Sequence, residues 1–172
     1  MITKKTQYAL QALLCLAKSG GYGPVRISEL SKREKIPKKF LETILLTLKH
    51  HGILKSKKGK GGGYVLGKAP SCISVGEVIR IFEGPIAPVG CVSDGVVKCQ
   101  EGADEATCGI RIVMIEVRDA MARILDGTTL GDLLHRAELA RQKSNRSPER
   151  SLEKSEATTH RPNVPGTRQI TL

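Results

Sequence analysis

Three cysteines, Cys91, Cys99 and Cys108, fall within eighteen residues at the spacing C-x7-C-x8-C. Between them lie Asp94, Gly95, Gly102 and Asp104, which favour turns over a long helix or strand. A loop carrying three thiols can wrap a soft metal centre. Structural zinc on the same thiols, or a metal-free thiol loop, are the competing chemistries. The chain's five cysteines are an odd number, which argues against a disulfide framework. Cys15 lies inside an apolar helical run and reads as a small buried hydrophobe. Cys72, in a linker beside Pro70, reads as a bystander. There is no Cys-x-x-Cys pair and no histidine near the loop, so a thiol enzyme is not indicated.

The elements on either side of this loop must position it. Residues 3–19 read as a helix that Thr3 can cap, with Tyr8, Leu10, Ala12, Leu13, Leu14, Leu16 and Ala17 forming a broad apolar surface. Residues 25–36 hold a short second helix with Leu30 as its anchor. A third helix is expected over residues 37–51. Pro37 stands at its start, Phe40, Leu41, Ile44, Leu45 and Leu48 recur at helical spacing, and Gly52 ends it. The pair describes a helix-turn-helix whose recognition helix presents Lys38, Lys39 and Glu42 from its N-terminal end.

Ile53-Leu54 and Tyr64-Val65-Leu66 then suggest a β-hairpin. Its loop carries Lys55, Lys57, Lys58 and Lys60 among Gly59, Gly61, Gly62 and Gly63. Glycine permits close approach to a sugar-phosphate backbone, and lysine neutralises it. A nucleotide-binding loop is discounted, because the segment precedes a strand rather than a helix. Residues 75–82 form a further helix with Val78, Ile79 and Phe82 inward. Residues 110–125 form a long one whose seam is Ile110, Val113, Val117 and Ile124, broadened by Met114 and Met121. This face can pack on the chain's own core or on a second copy in a dimer. Thr128 to Asp132 caps a short last helix with Leu130, Leu133 and Leu134 inward. From residue 141 no apolar period remains, and the tail is expected to be disordered.

Charge divides the chain. Residues 1–69 hold fifteen Lys or Arg against three acids, whereas residues 70–172 hold thirteen against fourteen, so the whole net charge of +11 comes from the first part. Such a bias suggests a polyanion partner, with nucleic acid ahead of a merely solubilising surface. No run of eighteen apolar residues and no signal-peptide pattern is present, which implies no membrane partner and a cytoplasmic, thiol-reducing location.

The expected architecture is mainly α. A winged helix-turn-helix with a β-hairpin wing occupies residues 1–69, and a linker helix and cysteine-rich sensor loop residues 70–109. A dimerisation helix and short C-terminal helix follow over 110–140, then a tail over 141–172.

Several stretches carry a family resemblance. They are Tyr8-Ala-Leu-Gln-Ala-Leu, Ile36-Pro-Lys-Lys-Phe-Leu-Glu42, Gly61-Gly-Gly-Tyr64-Val-Leu, Val75-Gly-Glu-Val-Ile, the three-cysteine loop, and Thr128-Thr-Leu-Gly-Asp-Leu. Together they resemble the Rrf-two family of winged-helix repressors over residues 1–136. That family includes an iron–sulfur cluster regulator, a nitric-oxide-sensing repressor and a cysteine-metabolism repressor. The resemblance implies a homodimeric bacterial transcription factor that binds palindromic double-stranded DNA and is not an enzyme. It further implies an iron–sulfur cluster, 2Fe-2S or 4Fe-4S, on Cys91, Cys99 and Cys108. The wing's Lys57, Lys58, Lys60, Gly61, Gly62 and Tyr64 would join Lys38, Lys39 and Glu42 on the DNA.

The chain also departs from the family pattern. The cysteine spacings are longer than in the best-known members. Positions that supply a fourth ligand elsewhere hold Arg111 and Gln7 here. A cluster-free regulator using thiol oxidation, zinc or a protein partner is the alternative within the fold. An iron–sulfur electron or cluster carrier that binds no DNA is the alternative outside it.

Overall fold

A computed structural model describes residues 2–19, 23–93 and 107–145. Among them six α-helices, two one-turn 3₁₀ helices and a two-stranded hairpin follow one another. Helix α1 (Lys4–Lys18) starts where the sequence signals it, with the Thr6 N–H donating to Thr3 Oγ1 at 3.5 Å. Its Ala9, Ala12, Leu13 and Leu16 turn inward, and Ser19 closes it by donating backbone and hydroxyl to the Cys15 carbonyl.

Helix α2 (Ile27–Glu34) buries Leu30 alone and ends on Lys35, whose φ of 55° lies in the left-handed region. The tight turn is locked from within. Ile36 N–H donates to the Ser31 carbonyl at 3.2 Å, and the Ser31 hydroxyl donates to the Ile36 carbonyl at 2.6 Å. Pro37 is the N-cap of α3 (Lys38–His50), one position ahead of the first-turn place expected for it. Neither position asks proline for an intrahelical N–H, so the helix loses nothing. Leu41, Ile44, Leu45 and Leu48 are buried, but Phe40 is 40% exposed and rests edge-on against Tyr8, 5.7 Å between ring centres. Phe40 therefore stands outside the core expected for it. Gly52, at φ 71°, ends the helix in the left-handed conformation that glycine adopts without strain.

Strands β1 (Leu54–Lys57) and β2 (Gly63–Leu66) pair antiparallel, Leu54 opposite Leu66 and Lys57 opposite Gly63. The ladder thus takes in Lys55 and Lys57, and the tip is shorter than expected. The hairpin is pinned to the chain before α2: Val25 and Tyr64 exchange backbone hydrogen bonds at 3.0 and 2.9 Å. Gly63 is required there, because a Cβ on it would lie 2.4 Å from the Val25 carbonyl oxygen.

After a 3₁₀ turn over Pro70–Cys72, Ser74 caps α4 (Val75–Glu83) by accepting from the Glu77 N–H at 3.0 Å. Helix α5 (Gly109–Asp126) follows a second 3₁₀ turn, Gly90–Val92. At the start of α6 (Leu130–Asn145), Thr129 and Asp132 cap each other reciprocally at 2.8 and 3.1 Å. The two capped starts lie side by side, since Val75 donates to the Thr128 carbonyl and Leu130 to the Ile73 carbonyl. Leu130, Val78 and Ile73 consequently share one core with α1, α2, α3 and Leu54. The described residues up to Arg136 make one compact unit.

Helix α6 runs to Asn145 rather than ending before residue 141, because Ala, Glu, Leu, Arg and Gln sustain a helix without burial. The rest of the expected tail lies outside the described residues. No described helix is long and apolar enough to cross a membrane.

Candidate nucleic-acid interface and cysteine site

The outer face of α3 is set by what its inner face buries. With Leu41, Ile44, Leu45 and Leu48 inward, the residues left outside include Lys38, Lys39, Glu42, Thr43, Leu46 and Lys49, all exposed. The first turn of α3 contains no acid but two lysines. That is the wrong sign for the positive end of a helix, a mismatch of about 0.3–1 kcal/mol per charge. Phosphate near the same end would reverse it.

The wing follows within a few residues. Lys55, Lys57, Lys58, Lys60 and Gly61 are exposed, while Gly62 and Tyr64 are half-buried. Among the described residues none of these lysines is paired with a carboxylate. Gly59 and Gly61, at φ 102° and 104°, let the tip reverse, and a Cβ on Gly62 would strike the Lys57 carbonyl oxygen at 2.3 Å. The tip's glycines are therefore conformational necessities, and its lysines are left to solvent.

The cysteine site is described at its two ends. Cys91 is half-buried in the turn Gly90–Val92, where Val92 anchors the turn at 2% exposure. Arg118 of α5 reaches that turn, its guanidinium donating to the Val92 carbonyl at 3.0 Å while also pairing with Asp119. Arg118 is half-buried by this. Cys108 is the N-cap of α5, half-buried and without a side-chain cap bond. Cys99, and the acids Asp94, Glu101, Asp104 and Glu105, lie outside the described residues. Among the described residues no three His, Cys, Asp or Glu stand together as a metal-binding group. The two other cysteines differ from one another: Cys72 is exposed, whereas Cys15 is 6% exposed and its thiol is pushed up, first by burial and then by Glu34.

Helix α5 buries no residue completely. Its inner side, Met114, Ile115, Arg118, Ala122 and Leu125, is half-buried. Its seam faces away from the chain, with Ile110 71%, Val113 52%, Val117 38% and Ile124 66% exposed, together with Met121. Its far end is tied to α4 by Arg80, which pairs with Asp126 and holds that carboxyl below its ordinary range.

A helix-turn-helix with a basic hairpin wing, followed by a helix with an uncovered apolar seam, defines the class of winged-helix DNA-binding regulators. The comparisons agree. The model of the Rrf2 family, described as iron-dependent transcriptional regulators, matches residues 2–136. An rrf2-like HTH-type transcriptional regulator of Rhodobacter capsulatus is 43% identical over 138 residues, 78% of this chain and 92% of the relative. The regulator CymR of Bacillus subtilis is 37% identical over 77% of this chain and 88% of its own length. Its solved structure, titled the global cysteine regulator, superposes with a TM-score of 0.67 at 36% identity, covering 78% of this chain and 96% of that one. The regulator IscR of Escherichia coli is 34% identical over 80% of this chain and 82% of its own length. The chain belongs to the Rrf2 family: it is a DNA-binding transcriptional regulator and not an enzyme.

Proposed function

We propose that the chain acts as a homodimer on palindromic operator DNA and that residues 91–108 are its sensor, holding an iron–sulfur cluster on Cys91, Cys99 and Cys108. The observation that carries this reading is α5. It begins at Cys108, contacts the Cys91 turn through Arg118, and carries the uncovered seam on its outer face. One helix thus connects the thiols to the surface on which a second copy would pack. The donor set suits the group. Thiolates are the ordinary ligands of such clusters. When bound, the cluster supplies a centre that responds to redox state, oxygen or nitric oxide.

The protein's own part is mechanical. Arg118 fixes the Cys91 turn on α5, and ordering of the loop acts on the seam through that helix. A shift in DNA affinity then requires the ordered loop to favour one dimer geometry over another. In the reading head, Lys38, Lys39, Lys57, Lys58 and Lys60 neutralise phosphates, while Gly61, Gly62 and Tyr64 shape the wing that brings them close. Glu42 accepts from a base amino group in the major groove.

A second reading is favoured by the absence of a fourth ligand at two positions. Arg111 is no ligand, and the Gln7 amide donates to the Ile2 carbonyl at 3.4 Å. In that reading the thiols respond by oxidation, zinc binding or a protein partner, without a cluster. Anaerobic purification with iron and sulfide analysis separates the two. Cys91→Ala, Cys99→Ala and Cys108→Ala should each lose colour and iron, while Cys15→Ala and Cys72→Ala keep both. A colourless anaerobic protein containing zinc, or bleaching by Cys72→Ala as complete as by Cys99→Ala, would overturn the cluster assignment.

A further inference from the structure

Between residues 4 and 88 the described chain exposes two large hydrophobic side chains, and both are on α3. Phe40 has a partner in the Tyr8 ring. Leu46 has none of that kind and is 52% exposed. It does not belong to the core stripe, because its neighbours Ile44, Leu45 and Leu48 are fully buried and fill that stripe without it. It stands instead on the outer face with Lys39, Glu42, Thr43 and Lys49, at the i, i+3, i+4 spacing that aligns residues along one side of a helix.

From this placement we infer that Leu46 reads the C5-methyl group of a thymine in the major groove, and is a specificity-determining residue of the recognition helix. Lys39 and Lys49 flank it, so the occupant of this face is a polyanion. An apolar partner offered by a polyanion at an exposed helix face is the thymine methyl, which projects into the major groove where an α-helix enters. Leu46 lies seven residues beyond Lys39, about 10 Å along the axis at 1.5 Å per residue. That places it two turns deeper than the basic first turn and on other base pairs than those beside Lys38 and Lys39. Thr43, one turn earlier on the same face, bends its hydroxyl toward the Lys39 carbonyl at 3.5 Å. Its hydroxyl is thus turned to the helix backbone and away from hydrogen bonding with a base, so the stripe offers the groove apolar surface, most of it from Leu46. The inference rests on the DNA-binding reading and adds to it a base identity.

The test begins with duplexes that the full-length, anaerobically purified protein enriches from a random pool. Each thymine of the enriched site is then replaced by uracil, which removes only the methyl group. At one thymine of each half-site, uracil should lower wild-type affinity about fourfold, the equivalent of ~0.8 kcal/mol for one buried carbon. Leu46→Ala should lose a similar factor on the thymine duplex and show no further loss on uracil there, with its salt dependence unchanged. Circular dichroism and thermal unfolding of Leu46→Ala should match wild type, since the residue is outside the core. Uniform tolerance of uracil by the wild type, or a uracil penalty that persists in Leu46→Ala, overturns the assignment while leaving DNA binding intact. Failure to enrich any duplex overturns the DNA-binding reading itself, and this inference with it.

Discussion

Lys35 and Glu83 show how much of this fold is set by single side chains the sequence does not advertise. Lys35 occupies the left-handed conformation in the turn between α2 and α3. An L-residue there carries about 1–2 kcal/mol of strain, whereas glycine carries none but loses about 0.5–1 kcal/mol more entropy on folding. Lys35→Gly should therefore raise unfolding stability by about 0.5–1 kcal/mol, read by urea titration. A destabilised variant would mean that the lysine makes a compensating contact. Glu83, at the end of α4, accepts from the Thr3 hydroxyl at 2.6 Å, the Thr6 hydroxyl, and the Thr3 N–H at 2.9 Å, and so clamps the start of α1. The Thr3 hydroxyl first, then that of Thr6, holds its carboxyl down to about 2. A carboxyl depressed in the folded state stabilises fully above its ordinary range, and the benefit drains away as pH falls from about 4.5 through about 2. Wild type should exceed Glu83→Gln in stability at pH 6, and the gap should close progressively toward pH 2. Equal stability at pH 6 would mean that the clamp contributes nothing. Neither residue was legible in advance: a lysine carries no turn signal, and the Glu83–Thr3 contact spans eighty positions.

At the scale of elements, legibility follows periodicity. Helices α1, α3, α4 and α5 were readable from their apolar spacing, with Thr3 marking the start of α1 and Gly52 the end of α3. Phe40 misled because it shares the period of the core stripe yet sits at its edge, where Tyr8 covers only part of the ring. Helix α6 misled at its end because helix formers continue where apolar spacing stops. The wing was legible from its lysines and glycines, but its anchoring was not, since the Val25–Tyr64 bridge is made by backbone groups alone. That anchoring can be broken at Gly63. An added methyl would meet the Val25 carbonyl, and both partners are backbone, so no side chain can swing away. Gly63→Ala should cost about 1–3 kcal/mol, the worth of two backbone hydrogen bonds, and loosen the wing. Operator affinity should fall while the helical circular dichroism signal stays. Unchanged affinity in this variant would detach the wing from DNA binding.

For the whole molecule, charge and seam make a joint claim. The basic excess lies in residues 1–69, and the uncovered apolar face lies on α5, so one surface is available for phosphate and another for a second copy. Of the cysteine loop, the thiols and their spacing are plain in the sequence, but the tie between the Cys91 turn and α5 through Arg118 is not, because a guanidinium bonded to a carbonyl leaves no pattern there. If the five lysines of each head meet phosphates, the logarithm of affinity should fall with the logarithm of salt at a slope of about −4.5 per head, and of about −9 for a dimer holding two half-sites. Val117 lies mid-seam, 38% exposed in the single chain, and would be desolvated by a partner helix. Val117→Glu would put an unpaired charge into that contact, a penalty of several kcal/mol. The variant should run as a monomer in light scattering, bind a full operator far more weakly, and show about half the wild-type salt slope. The halved slope is the discriminating observation, because a merely misfolded head would lose its slope altogether. A variant that stays dimeric with the full slope would place the contact between copies elsewhere than on Ile110, Val113, Val117 and Ile124.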